Sequence, residues 1–127
     1  MDFLLVLAGG GLGALARYLT SLGVGSAWDG SFPLGTFLIN LLGCFLIGVL
    51  AGLSERTSVD PQLRLFLQTG ILGGFTTFSS FGLETVQLVH RGEWGTAAVY
   101  VLGSNLLGLG LAFTGYWLLR GLFGRAA

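Results

Sequence analysis

The sequence holds no lysine, one cysteine, one histidine and two prolines, and only 9% of its 127 residues are charged. Water-soluble domains carry about 25% charge, so this scarcity excludes an ordinary soluble surface and points to lipid as the solvent. Six arginines balance six acids with no basic run, which gives a phosphate backbone nothing to bind and excludes a nucleic-acid partner. The lone Cys44 has no disulfide mate and no companion ligands at zinc spacing, so it reads as a small apolar packing residue. His90, beside Arg91, reads as interfacial rather than metal-binding. No G-x-x-x-x-G-K-[ST] run is present, which leaves ATP-driven transport unsupported. No Ser/His/Asp or metal-ligand arrangement falls in an apolar stretch, so the chain is not expected to be an enzyme. Asp2 replaces the positive start of a signal peptide and no small-x-small cleavage site follows, so the N-terminus is read as a first membrane helix.

What the chain does have is apolar length. Hydrophobic residues make up 53% and mean hydropathy is +0.81. Uncharged runs cover Gly30 to Ser54, Leu65 to Leu83 and Trp94 to Leu119, each near or above the ~20 residues a helix needs to cross a ~30 Å hydrocarbon core. A further run from Phe3 to Val24 is interrupted only by Arg17. The expectation is an all-α membrane protein forming one integral-membrane domain over 1–127, with four transmembrane helices at about 3–24, 33–53, 62–89 and 95–119. Pro33 and Pro61 stand at helix starts, where a missing N–H costs least. Trp28, Trp94, Tyr116 and Trp117 lie near span ends, as an interfacial aromatic belt requires. Four spans put Arg56, Arg64, Arg120 and Arg125 on one side and Arg17 and Arg91 on the other. That positive-inside bias is weak. It suits a chain inserting in both directions, as an antiparallel dual-topology homodimer needs, and it also suits one fixed orientation.

Glycine is abundant, at 23 residues. Gly9/Gly13, Gly48/Gly52 and Gly70/Gly74 are small-xxx-small pairs that let helix backbones approach closely in lipid. Gly73 and Gly74 also open the stretch GGFTTFSSF, in the middle of the third span. Low helix propensity followed by hydroxyls that bond to backbone predicts a mid-membrane break there. Hydrocarbon tolerates such a break only where protein or a water-filled cavity receives the freed groups. Carbonyls around Gly73 to Thr76 would then form a cradle for a small cation; a merely kinked helix is the other reading.

Phe78 and Phe81 share a face with Glu84, at steps of three. Their positive ring edges could meet an anion, or the rings could fill a core. Thr36 and Asn40 in the second span, and Tyr100 and Ser104 in the fourth, are each four apart, with Asn105 adjacent. Such neutral groups on three spans make a polar track, although each alone could be interhelical glue. Arg17 and Glu84 are ionisable groups in or near spans and so are functional candidates, though Arg17 could snorkel to the interface.

The chain resembles the fluoride channel family known as Fluc or CrcB. The resemblance lies in the early GALARY, in GTFLINLLGCFLIG of span two, in GGFTTFSSF with Glu84 of span three, and in the Tyr100/Ser104 spacing of span four. It implies a passive fluoride-selective channel in the inner membrane that exports fluoride and relieves its toxicity. It also implies two pores in an antiparallel dual-topology homodimer. A structural sodium ion would sit at the dimer interface on the carbonyls of Gly73 and Thr76 from both chains. The pore would be lined by Thr36, Asn40, Phe78, Phe81, Tyr100 and Ser104, with Arg17 and Glu84 acting electrostatically near a vestibule or pore. Gly108 departs from relatives that carry a further hydroxyl one turn beyond Ser104, with Thr114 and Asn105 the nearby polar groups. Two other classes share the size and span count: a small dual-topology proton-coupled multidrug antiporter, which would want a carboxylate where Arg17 stands, and a non-transporting membrane scaffold docking partners on glycine faces.

Overall fold

The computed structural model describes residues 1–123; Arg125, counted above toward the charge bias, lies outside them. The described residues are helices joined by short turns, with no strand. Helix α1 is Asp2–Ala27 and α2 is Leu34–Ser54. The next rod, α3, spans 61–75 and changes winding along its length: Pro61–Arg64 is α-helical, Leu65–Leu72 is π-helical and Gly73–Phe75 makes one last α turn. After an interruption come α4, Phe78–His90, and α5, Trp94–Phe123. Three of these, α1, α2 and α5, are long and apolar enough to cross a membrane. The third expected span comes as two shorter helices.

Local chemistry accounts for the boundaries. Asp60 caps α3 by accepting the Leu63 N–H at 2.9 Å, with Pro61 as the first helical residue. Pro33 precedes α2, and the Trp28 indole donates to the Phe32 carbonyl at 2.9 Å to close the turn before it. Gly92, at φ 76°, supplies the left-handed residue that reverses the chain between α4 and α5.

Glycines set the packing, as the small-xxx-small pairs suggested. A Cβ on Gly48 would overlap the backbone of Ala112, and one on Gly52 that of Tyr116; Gly115 meets Phe45 in the same way. These contacts draw α2 and α5 together. On the other side Gly9 meets Gly70, Gly13 meets Ile71 and Gly74 meets Gly10, drawing α1 onto α3. Where α4 meets α5, Leu88, Ala97 and Tyr100 form a buried cluster ringed by Phe32, Phe37, Phe81 and Val89. Large apolar side chains elsewhere face outward along α1 and α5, the inverse of a soluble surface and the arrangement lipid rewards.

The break falls within the expected GGFTT stretch but takes only its threonine end. Gly73 and Gly74 are helical, and the extended residues are Thr76 (φ −81°, ψ 157°) and Thr77 (φ −150°, ψ 115°). The reason is packing. Gly74 is needed as a glycine by its contact with Gly10, whereas the two β-branched threonines favour extended backbone. The π winding upstream was not anticipated, and π segments of this kind often mark functional sites.

Candidate functional site

An interrupted helix frees backbone groups, and most of those at Thr76–Thr77 find side-chain partners. Asn40 of α2 clasps the Thr77 peptide, its Nδ2 donating to the Thr77 carbonyl and its Oδ1 accepting the Thr77 N–H, both at 2.9 Å. Thr76 N–H and its hydroxyl both reach the Leu72 carbonyl, at 3.0 and 2.9 Å. Thr77 Oγ1 caps α4 by accepting the Ser80 N–H at 3.1 Å and lies 3.3 Å from the Ser79 hydroxyl. Arg17 Nε of α1 donates to the Gly74 carbonyl at 3.1 Å. Its guanidinium is therefore engaged with the break.

Two carbonyls are bypassed by this arrangement. The Thr77 N–H that a continuous helix would aim at Gly73 goes to Asn40, and the Ser80 N–H that would reach Thr76 goes to Thr77 Oγ1. Gly73 and Thr76 also line a cavity of about 340 Å³ with Gly43, Cys44 and Gln68. Uncharged oxygen ligands of this kind suit a hard cation. They are a donor set that fits a cation such as sodium. Among the described residues no group of three or more His, Cys, Asp or Glu could hold a metal ion, so side chains offer no rival site of that type.

Glu84 ties three helices together. Thr36 of α2 donates to Oε1 at 2.7 Å and Tyr100 of α5 donates to Oε2 at 2.6 Å. Both lengths are those of strong hydrogen bonds to a carboxylate. Tyr100 is 0% exposed and Thr36 is buried. A second cavity, of about 230 Å³, reaches this carboxylate between Ser21, Trp28, Phe32 and Thr36.

Aromatic rings run outward from the same place. Phe81 stacks tilted against Tyr100 with centroids 5.1 Å apart, and Phe78 against Phe81 at 5.5 Å. Phe78 is 84% exposed. Its ring stands clear of the chain's own core. One helical turn along α5 from Tyr100, the Ser104 hydroxyl is buried with no hydrogen-bond partner among the described residues. Gly108 lies against the Cys44 sulfur. Asn105 and Thr114 bond back to the Val101 and Gly110 carbonyls, at 2.7 and 2.8 Å, on exposed positions of their own helix.

The structure thus brings Thr36, Glu84, Tyr100, Phe81 and Phe78 into one connected group, with Asn40 one turn from Thr36 on α2 and Arg17 on the far side of the break. Nothing in the sequence marks Arg17 and Asn40 as serving the same interrupted stretch. Their side-chain types were the only signal, since both donate hydrogen bonds from inside apolar runs.

Comparison with known proteins assigns the family. The family model described as CrcB-like protein, Camphor Resistance (CrcB), matches residues 4–116. A protein of Rhodospirillum centenum named fluoride-specific ion channel FluC is 52% identical over 118 residues, covering 92% of this chain and 94% of its own. A Nitrobacter hamburgensis protein named fluoride-specific ion channel FluC 2 is 47% identical over 123 residues, covering 96% and 99%. A Thermus thermophilus relative named fluoride-specific ion channel FluC is 48% identical over 122 residues, covering 96% of each. The relatives are ion channels by name and not enzymes. With the match running nearly end to end and taking in the break and the residues that clasp it, the chain belongs to the CrcB family.

Proposed function

We propose that this chain is a passive fluoride channel of the inner membrane that lets fluoride leave the cytoplasm and so relieves its toxicity. The carrying observation is the Thr76–Thr77 break, whose peptide is held by Asn40 while the Gly73 and Thr76 carbonyls are bypassed. In this reading α3 and α4 together make one crossing, giving four in a single integral-membrane domain. Two chains associate antiparallel with their breaks face to face, and the four carbonyls hold one structural sodium ion. Phe78, 84% exposed in the single chain, supports a partner at this face. So does the open space beside Gly73, where an added Cβ would meet only the Gln68 carbonyl, at 3.8 Å.

Each dimer would carry two fluoride paths. A small anion must exchange its water for close donors. The buried Ser104 hydroxyl has no partner among the described residues to lose, and Asn40 keeps one amide N–H beyond the one given to Thr77. The ring edges of Phe78 and Phe81 add weak positive potential without a fixed charge. The hydroxyl protons of Thr36 and Tyr100 are directed at Glu84; in the lining they hold that carboxylate in place beside the path. Arg17 contributes positive potential behind the break while steadying the Gly74 carbonyl.

The test is efflux from liposomes loaded with equal fluoride and chloride, followed with ion-selective electrodes. Fluoride is expected to leave far faster than from protein-free vesicles while chloride stays. Equal loss of both halides, or loss of neither, overturns the proposal.

A further inference from the structure

A second feature lies along the seam of α2 and α5. Gly48 and Gly52 press against the backbone of Ala112 and Tyr116, and small residues at the floor leave a trough of about 420 Å³. Ile47 and Ala51 wall it on one side and Leu109 and Phe113 on the other, with Tyr116 at the end toward the α2 C-terminus. Leu109 and Phe113 are exposed. The trough therefore opens outward.

Its polar end carries an acid and a base side by side. The Tyr116 hydroxyl donates to Glu55 Oε2 at 2.7 Å, and one Arg120 terminal nitrogen donates to that hydroxyl at 3.0 Å and stands 3.6 Å from the same carboxylate oxygen. The guanidinium also lies 5.0 Å from the Trp117 ring centroid, which fixes it in orientation. Tyrosine, tryptophan and arginine together at a helix end mark headgroup depth. Glu55 and Arg120 both remain partly open to the outside, and Arg120 has further N–H groups beyond the one used here.

An apolar trough in a bilayer takes an acyl chain whatever its headgroup, so selectivity rests with the pair at the end. A cluster of one sign would select a headgroup of the opposite sign. Acid beside base matches a headgroup carrying both. We propose that this groove binds a zwitterionic phospholipid with a primary-amine headgroup, of the phosphatidylethanolamine class. One acyl chain lies along Gly48 and Ala112, the phosphate accepts from Arg120, and the ammonium donates to Glu55. A choline headgroup fits worse because its quaternary nitrogen has no N–H to give the carboxylate. A glycerol headgroup fits worse because, with its phosphate on Arg120, it brings no ammonium to the Glu55 carboxylate.

The probe is the full chain in nanodiscs of equimolar phosphatidylethanolamine, phosphatidylcholine and phosphatidylglycerol with matched acyl chains, released into the gas phase and weighed with its retained lipids. Phosphatidylethanolamine is expected at about five-fold or more over each of the others. Glu55→Gln should reduce it to the phosphatidylcholine level, and Arg120→Gln should lower all three. Ala51→Trp, which fills the trough from an exposed position, should abolish retention while helix content by circular dichroism stays unchanged. Equal retention of the three lipids by the unaltered protein overturns the assignment, as does an undiminished preference in Glu55→Gln. If Ala51→Trp separates two chains and leaves lipid retention intact, the occupant is a second copy of this chain and the lipid site is refuted. Halide flux enters none of these readouts.

Discussion

Replacing Asn40 by alanine removes both hydrogen bonds that hold the Thr77 peptide outside the helix. Hydrogen bonds between membrane helices are worth ~0.6 kcal/mol on average and up to ~1.7, because the unfolded state in lipid also finds partners. Two of them give roughly 1–3 kcal/mol, a factor of about 5–150 in the folding equilibrium. The freed groups have one local alternative: Thr77 N–H can swing back to the Gly73 carbonyl and close the break. That would consume one of the two oxygens proposed to hold the cation. Asn40→Ala should therefore lower stability against denaturant by that amount, flatten the sodium dependence of stability and suppress fluoride efflux. Asn105→Ala is the matched control, since that amide bonds only to the Val101 carbonyl of its own helix and is exposed; it should change stability by less than ~0.5 kcal/mol. Equal loss in the two variants, or full sodium dependence and flux in Asn40→Ala, refutes the role of the clasp.

Other predictions follow from the packing and the carboxylate. Gly48→Val places a side chain into the backbone of Ala112 and should cost ~1–3 kcal/mol by overpacking, measured by thermal unfolding in detergent. Gly110→Ala, where an added Cβ meets nothing within 4 Å, should be neutral or stabilising by up to ~1 kcal/mol. Glu84→Gln exchanges one acceptor oxygen for an NH₂ group that faces the hydroxyl of Thr36 or Tyr100, and should cost ~1–3 kcal/mol, read from denaturant midpoints. Retained stability in Glu84→Gln would mean that the carboxylate does not tie the three helices.

Much of this architecture was legible in the sequence because lipid imposes severe rules. Apolar runs marked α1, α2 and α5, and the glycine pairs marked the seams that α2 makes with α5 and α1 makes with α3. Threonines beside glycines in an apolar run marked a break to within a few residues. The break takes only the threonine end of that stretch, because tertiary contact of Gly74 with Gly10 overrides the low helix propensity of the glycines. The partners of the break were not legible either. Asn40 and Thr77 are separated by 37 positions and Arg17 and Gly74 by 57, and no local pattern encodes contacts at that range. Thr36, Tyr100 and Glu84 each looked like a polar group on its own span. Only the fold makes them one hydrogen-bonded unit, and the π winding that leads into the break has no counterpart in the hydrophobic period.

The most direct measurement is fluoride efflux from liposomes carrying Phe78→Ile beside the unaltered protein, at equal reconstituted protein and equal dimer content by single-molecule photobleaching. Phe78 is 84% exposed and anchors none of the chain's own core, so the fold of each chain should be preserved while flux at matched dimer content falls by at least ten-fold. Undiminished fluoride efflux in Phe78→Ile would contradict an anion path along the rings that follow the break.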